Sequence, residues 1–101
     1  MLKLLHIDDN LNALVEFKNK FGTNFKIISE PHVFRVDEHL ESTKFDGFVV
    51  DIYMPYMDGA SVLKKVRSCR RNNSAAFFVL SGDEKLETRL DFLKDGISDF
   101  L

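Results

Sequence analysis

Short apolar runs alternate along this chain with longer stretches in which apolar residues recur every third or fourth position. The run at 48–50 is apolar without interruption, which is typical of a strand that is buried on both faces of a sheet. Leu86, Leu90 and Leu93 instead fall on one face of a helix. The hydrophobic pattern therefore predicts strands and amphipathic helices in alternation.

The boundaries of these elements follow from the apolar runs and from flanking cap and turn residues. The strands are predicted at 2–7, 25–29, 47–52 and 75–80, and a fifth begins at 98. Helices are predicted at 11–21, around 33–40, at 60–70 and at 84–94. Asn10 is a suitable N-cap and Gly22 a suitable C′ residue for the first helix. This order predicts an α/β fold, a doubly wound parallel five-stranded sheet with helices on both faces.

The predicted fold has an unusual end. A fifth strand in such a sheet normally leads into a fifth helix that covers one face, and this sequence stops at Leu101. We therefore expect one domain over residues 1–101, truncated in or after the fifth strand, with the final helix missing. The face beside the first helix is expected to expose an apolar patch. Either self-association through this uncovered sheet face or low stability is expected to follow.

Composition narrows the class of protein further. The 101 residues are 45% hydrophobic, which suits one small domain with a packed core. A net charge of −2 favours neither nucleic acid nor an anionic membrane. No apolar run approaches the roughly 20 residues that span a bilayer, and the start lacks a signal peptide. The single Cys69 cannot form an internal disulfide. We therefore expect a cytoplasmic protein.

Polar residues follow three of the predicted strands. Asp8 and Asp9 follow the first strand, Asp51 ends the third, and Ser81 follows the fourth. The carboxyl ends of parallel strands meet at one edge of the sheet, where ligands bind. Three carboxylates at that edge repel one another, and Mg²⁺ relieves the repulsion because it prefers oxygen ligands. An aspartate beside such an ion can act as a nucleophile towards a phosphoryl group.

These residues resemble the receiver domain of two-component response regulators. The strongest element is the segment 51–59, DIYMPYMDG, which is similar to the acceptor Asp followed by Met-Pro-x-Met-Asp-Gly. The pair Asp8-Asp9 matches the family's acidic pair, and Ser81 matches its Ser/Thr position. Phe100 matches its aromatic switch position. The resemblance covers the whole chain and implies a flavodoxin-like fold. It also implies a phosphoacceptor with at most slow self-phosphorylation and self-dephosphorylation, not an enzyme.

The resemblance also implies a role for each site residue. Asp51 would accept a phosphoryl group from a sensor histidine kinase or a phosphotransfer protein. Asp9 and Asp51 would bind Mg²⁺ directly, Asp8 would act mainly through water, and the backbone carbonyl of Tyr53 would be a further ligand.

Two other residues would transmit the phosphorylation signal. Ser81 would contact the phosphoryl group and draw its loop inward, and Phe100 would then turn inward. This change would switch a protein-interaction surface towards an output partner that the sequence does not identify.

Other interpretations compete with this one. The family carries a Lys two residues beyond the position of Leu101, so a phosphorylation-incompetent protein-binding module, either a pseudo-receiver or a truncated form, is the alternative function. Asp8-Asp9 alone suits a helix cap, and Ser81-x-x-Glu84 has the pattern of a capping box. A phosphatase with an aspartate nucleophile needs a second Asp where Tyr53 stands. A nucleotide-binding or flavin-binding domain needs glycines in the first loop.

Overall fold

The fold alternates strands and helices as the hydrophobic pattern predicts. We describe it from a computed structural model in which residues 1–52, 54–80 and the backbone of 99–100 are described. The strands are β1 (Lys3–Ile7), β2 (Lys26–Glu30), β3 (Gly47–Asp51), β4 (Ala76–Leu80) and β5 (Asp99–Phe100). The helices are α1 (Leu11–Phe21), α2 (Val36–Ser42) and α3 (Gly59–Ser68), and a 3₁₀ turn, Val33–Arg35, precedes α2. The helix predicted at 84–94 lies outside the described residues.

The sheet is parallel throughout, with strand order β2-β1-β3-β4-β5. This is the predicted doubly wound, flavodoxin-like order, in which the chain reverses its direction of winding between β1 and β3. In the β1–β3 register, Leu5 lies opposite Phe48 and Ile7 lies opposite Val50. The carboxyl ends of these two central strands are therefore adjacent, which positions the predicted site.

The core lies mainly between the sheet and the helices α2 and α3. Phe45, Phe48 and Phe77 are almost fully buried there, and the rings of Phe45 and Phe48 meet edge to face with 5.3 Å between their centroids. Val62 and Leu63 on α3 have no exposed surface. Burial of each such aliphatic side chain contributes about 1.5–3 kcal/mol, so this layer supplies much of the driving force for folding.

The opposite face of the sheet is less completely covered. Phe78 in β4 is half-buried, whereas its neighbours Phe77 and Val79 are fully buried. An apolar groove of about 220 Å³ lies beside α1 and is lined by Leu4, Phe17, Phe21, Phe25, Val49 and Phe78. An apolar opening beside the first helix was expected from the sequence. Self-association through it stays a prediction.

Helix α1 buries only part of the apolar face that its sequence presents. Asn10 is its N-cap as predicted, and its side chain accepts hydrogen bonds from the N–H groups of residues 12 and 13. Leu14 is buried, but Leu11 and Val15, which the apolar pattern includes, are 64% and 57% exposed. The side chain of Phe17 packs against His6 of β1 instead. The helix therefore buries a narrow stripe and leaves two large apolar side chains in solvent.

Candidate metal centre

Three carboxylates meet at the carboxyl ends of β1 and β3. One oxygen from each of Asp8, Asp9 and Asp51 lies within 4.8 Å of the others. Asp8 is buried, Asp51 is half-buried and Asp9 is exposed. The winding of the sheet brings these residues together although more than forty positions separate Asp8 from Asp51. The cluster is therefore buried at Asp8 and open to solvent on the side of Asp9.

Local hydrogen bonds fix the acidic pair. The Asp8 N–H donates to the backbone carbonyl of Glu30 at the end of β2, over 3.2 Å. The Asp8 carboxylate accepts a hydrogen bond from the Asn10 N–H at 3.0 Å. Asn10 in turn caps α1. The same turn thus starts the helix and orients Asp8, so the capping and site interpretations of this segment are compatible.

The electrostatics of the cluster are unfavourable without a cation. Burial raises the pKa of the Asp8 carboxyl, the hydrogen bond from Asn10 opposes this, and the charges of Asp51 and Asp9 raise the pKa further. A buried carboxylate next to two others is stabilised by a divalent ion with oxygen ligands. The residues present therefore fit Mg²⁺, and Asp8, Asp9 and Asp51 are the side chains that would hold it.

The segment after β3 closes back on itself. The Gly59 N–H donates to the carbonyl of Ile52 at 3.1 Å, and the Asp58 side chain caps α3 through the Ser61 N–H at 2.9 Å. Met54 and Met57 pack against the core, as their apolar character indicates. The loop is thus anchored at both ends beside Asp51.

The remaining predicted site residues are described less completely. Tyr53 and Ser81 lie outside the described residues. Only the backbone of Phe100 is described, and it pairs with Val79 at the β4–β5 edge. The structure therefore brings together the three aspartates and leaves the roles of Tyr53, Ser81 and Phe100 as predictions.

Two histidines lie near the acidic residues at this edge of the sheet. His6 is fully buried, and neither ring nitrogen has a hydrogen-bond partner among the described residues. Burial lowers its pKa to about 4, so the ring is neutral at physiological pH. His39 is partly buried, and its Nε2 lies 2.8 Å from the Glu30 carboxylate.

Glu30 is the residue at this edge that the sequence interpretation missed. It is only 3% exposed, and its carboxylate accepts the His32 N–H at 2.9 Å in addition to contacting His39. Its carbonyl holds the backbone of Asp8. A signal existed, because Glu30 is an acid at the end of an apolar strand, as are Asp8 and Asp51. Neighbouring groups satisfy the Glu30 carboxylate, so Glu30 contributes to the site through its backbone hydrogen bond from Asp8.

Comparison with known proteins identifies the family. The family model described as the response regulator receiver domain matches residues 4–101 of this chain. The chain therefore belongs to the receiver domains of two-component response regulators. Within the described part of the chain, no helix combines the length and hydropathy that a bilayer crossing requires.

A curated relative and several solved structures illustrate the similarity. The transcription factor SKN7 of Candida albicans is 27% identical over 100 residues, which are 97% of this chain and 17% of that protein. The chain thus spans about a sixth of that relative's length. The receiver domain of a Francisella response regulator is 28% identical, with a TM-score of 0.87, and the match covers 100% of this chain and 83% of that one.

Two more distant structures show the same fold. The chemotaxis protein CheY4 of Vibrio cholerae superposes with a TM-score of 0.91 at 18% identity, over 100% of this chain and 85% of that one. The receiver domain of a sensor histidine kinase from Pseudomonas aeruginosa PAO1 has a TM-score of 0.86 at 17% identity, over 99% of this chain and 83% of that one. That structure has a magnesium ion coordinated in its active-site cleft.

Proposed function

We propose that Asp51 accepts a phosphoryl group from a phosphohistidine on a sensor histidine kinase or a phosphotransfer protein, in a reaction that depends on Mg²⁺. The observation that carries this proposal is the meeting of Asp8, Asp9 and Asp51 within 4.8 Å at the reversal point of the sheet. Membership of the receiver family supports it. The family's chemistry and the charge of the cluster thus lead to the same assignment.

The three aspartates have different positions and therefore different roles. Asp9 and Asp51, which reach the open side, would bind the ion directly, while buried Asp8 would act mainly through water. The backbone carbonyl of Tyr53 would complete the protein ligands. Mg²⁺ held by these residues would neutralise the carboxylates and offset the charge of an incoming phosphoryl group.

The transfer itself requires one nucleophile. A carboxylate oxygen of Asp51 forms a bond to phosphorus while the bond from phosphorus to the histidine nitrogen breaks, and the imidazole leaves with that electron pair. The product is an aspartyl phosphate. Small phosphodonors would react slowly by the same route, and water would later release phosphate. An ionised carboxylate is itself a nucleophile, so this step would need no separate base.

The signal would leave the site through Ser81 and Phe100. The added charge of about −1.5 to −2 at Asp51 would attract the Ser81 hydroxyl, and Phe100 would turn inward in response. A protein-interaction surface would then change. We propose this receiver role for the chain alone, without nucleic-acid or membrane binding, and in the cytoplasm.

Phosphorylation by a small donor tests the proposal. The protein is incubated with phosphoramidate and Mg²⁺, and its intact mass is measured. We expect a gain of one phosphoryl group that disappears with EDTA and in Asp51→Asn. Asp58→Asn is the matched control, because it removes an acid from the same loop while Asn preserves the helix cap. No mass gain in the wild type, or a gain that survives Asp51→Asn, contradicts the proposal.

A further inference from the structure

His6 is a buried polar residue for which the proposed phosphoryl transfer has no role. It lies in β1, two positions before Asp8, and has no exposed surface. Neither of its ring nitrogens has a hydrogen-bond partner in the part of the chain that the structure describes. A buried donor or acceptor without a partner destabilises a fold, whereas an apolar side chain of similar size does not. Packing alone therefore gives no reason for a histidine at this position.

The His6 ring is directed towards the acidic cluster. Its Nε2 lies 3.9 Å from Oδ2 of Asp8, and both side chains are buried. An N–H···O hydrogen bond is about 2.9 Å long, so the two atoms would have to approach by about 1 Å. The other oxygen of Asp8, Oδ1, accepts the Asn10 N–H at 3.0 Å. Oδ2 is therefore the oxygen of Asp8 that a small rotation of the two side chains would bring to His6.

Apolar groups surround the ring on the α1 side of the sheet. The ring of Phe17 packs against it, with 4.4 Å between the centroids. Leu4 lies two residues earlier in β1, so its side chain projects from the same face of the sheet as that of His6. Leu4 lines the apolar groove beside α1. In apolar surroundings water competes little for the N–H group, so a hydrogen bond from His6 to a carboxylate would be strong.

A second buried polar group lies on the neighbouring strand. Ser29 is the partner of His6 in the parallel register of β1 and β2, so the two side chains project from the same face of the sheet. The Ser29 hydroxyl oxygen is also buried without a partner within the described ranges. A neutral imidazole has one N–H and one bare nitrogen, and a hydrogen bond to the bare nitrogen selects the tautomer. A hydroxyl that donates to Nδ1 would leave the proton on Nε2, which is the nitrogen nearer to Asp8.

We propose that His6 is a positioning residue of the metal centre, whose Nε2–H donates a hydrogen bond to Oδ2 of Asp8 when the centre holds a divalent cation. The proposal rests on the metal binding that the proposed function assigns to this cluster. Asp8 stays ionised beside a cation, and an ionised carboxylate is the stronger acceptor. Metal binding and the hydrogen bond from His6 therefore favour each other. Loss of such an outer hydrogen bond typically lowers metal affinity about ten- to a hundredfold.

The proposal predicts opposite effects of one substitution on stability and on metal affinity. His6→Leu removes the unpartnered nitrogens and keeps an apolar contact with Phe17, so without metal its melting temperature is expected to equal or exceed that of the wild type. The same variant has no donor for Asp8. Its affinity for Mn²⁺, which prefers the same oxygen ligands as Mg²⁺, should therefore fall about tenfold. A histidine that serves packing alone would leave the metal affinity unchanged.

Titration of the whole chain with Mn²⁺ measures the affinity, and the EPR signal counts the free ion. His6→Gln, whose amide nitrogen can occupy the place of Nε2, is expected to recover most of the lost affinity. Leu4→Val changes packing on the same face of β1 away from the cluster, so it is the matched control with wild-type affinity expected. In Asp8→Asn the accepting carboxylate is gone, so a second substitution, His6→Leu, is expected to lower the affinity no further.

Nuclear magnetic resonance tests the hydrogen bond itself. In ¹⁵N-labelled protein, long-range correlations between the ring protons and the ring nitrogens report which nitrogen of His6 carries the proton. With Mg²⁺ bound, we expect the proton on Nε2 and slow exchange of this proton with water. A proton on Nδ1 would leave Nε2 unable to donate to Asp8 and would overturn the proposal.

The outcomes separate this proposal from the proposed function of Asp51. Wild-type Mn²⁺ affinity in His6→Leu overturns the positioning role, and so does an equal loss in His6→Gln or in Leu4→Val. An equal further loss when His6→Leu is added to Asp8→Asn overturns it as well. In each of these cases Mg²⁺-dependent labelling of Asp51 by phosphoramidate can persist, so the proposed function stands. Absence of Mn²⁺ binding by the wild type removes the metal-dependent function and this proposal together.

Discussion

Replacement of Asp8 by Asn is expected to stabilise the protein in the absence of divalent metal. Asp8 is 4% exposed, and its carboxylate lies within 4.8 Å of those of Asp9 and Asp51. At 4.8 Å and an effective dielectric constant of about 20, each like-charge pair costs about 3.5 kcal/mol. Solvent screening at exposed Asp9 and half-buried Asp51 reduces this. Asn keeps an acceptor for the Asn10 N–H, so we expect a net gain of about 1–2 kcal/mol.

The stability gain from Asp8→Asn is expected to increase as the pH rises. Burial and the neighbouring charges raise the pKa of the Asp8 carboxyl above its ordinary value of 3.8. The folded state therefore binds more protons than the unfolded state between that value and the raised pKa, and wild-type stability falls as pH rises through this window. The advantage of Asp8→Asn should be nearly absent below pH 3.8 and complete at neutral pH.

Urea denaturation with and without Mg²⁺ measures the effect. Mg²⁺ at one hundred times its dissociation constant should stabilise the wild type by about 2.7 kcal/mol. Mg²⁺ should stabilise Asp8→Asn much less, so the difference in stability between the two proteins should shrink or change sign. Glu16→Gln, an exposed change with the same loss of charge, is expected to shift neither curve appreciably. A destabilised Asp8→Asn protein at neutral pH without metal would refute the electrostatic reasoning.

Two further substitutions test how the loops around the core are held. Asn72→Ala should lower the free energy of unfolding by about 2–4 kcal/mol. The buried Asn72 amide accepts a hydrogen bond from the Phe45 N–H at 2.8 Å and donates to two backbone carbonyls near the end of α2. Urea denaturation measures the loss, and a loss no larger than that of exposed Asn73→Ala would contradict this prediction. Asp58→Ala should cost about 1 kcal/mol, because it removes the cap contact to the Ser61 N–H; thermal unfolding checks this, and an unchanged melting temperature would show that the cap is dispensable.

The fold was largely predictable because local sequence patterns indicate each strand and helix. Uninterrupted apolar runs define the parallel strands, and β3 ends at Asp51 within one residue of the predicted boundary. Asn10 marks the start of α1 as predicted. Once the alternation of strand and helix is known, the handedness of the crossovers leaves few topologies. The meeting of the acidic residues at one edge then follows from topology alone.

The errors concern contacts that depend on packing between distant elements. The apolar period of α1 does not say which part of its stripe faces the sheet, and Leu11 and Val15 proved to be exposed. Glu30 and His39 lie nine positions apart on different elements, so no local periodicity links them. The positive φ of Tyr56, 72°, is likewise not indicated by the sequence, because non-glycine residues rarely adopt it.

The location of the metal tests the central claim most directly. Crystals grown with Mn²⁺, which takes the same oxygen ligands as Mg²⁺, allow the ion to be placed by its anomalous scattering. We predict one strong peak at the carboxyl ends of β1 and β3, within coordination distance of Asp9 and Asp51, that is lost in Asp51→Asn. No peak at saturating Mn²⁺, or a peak at another edge of the sheet, would contradict a metal-dependent phosphoacceptor at Asp51.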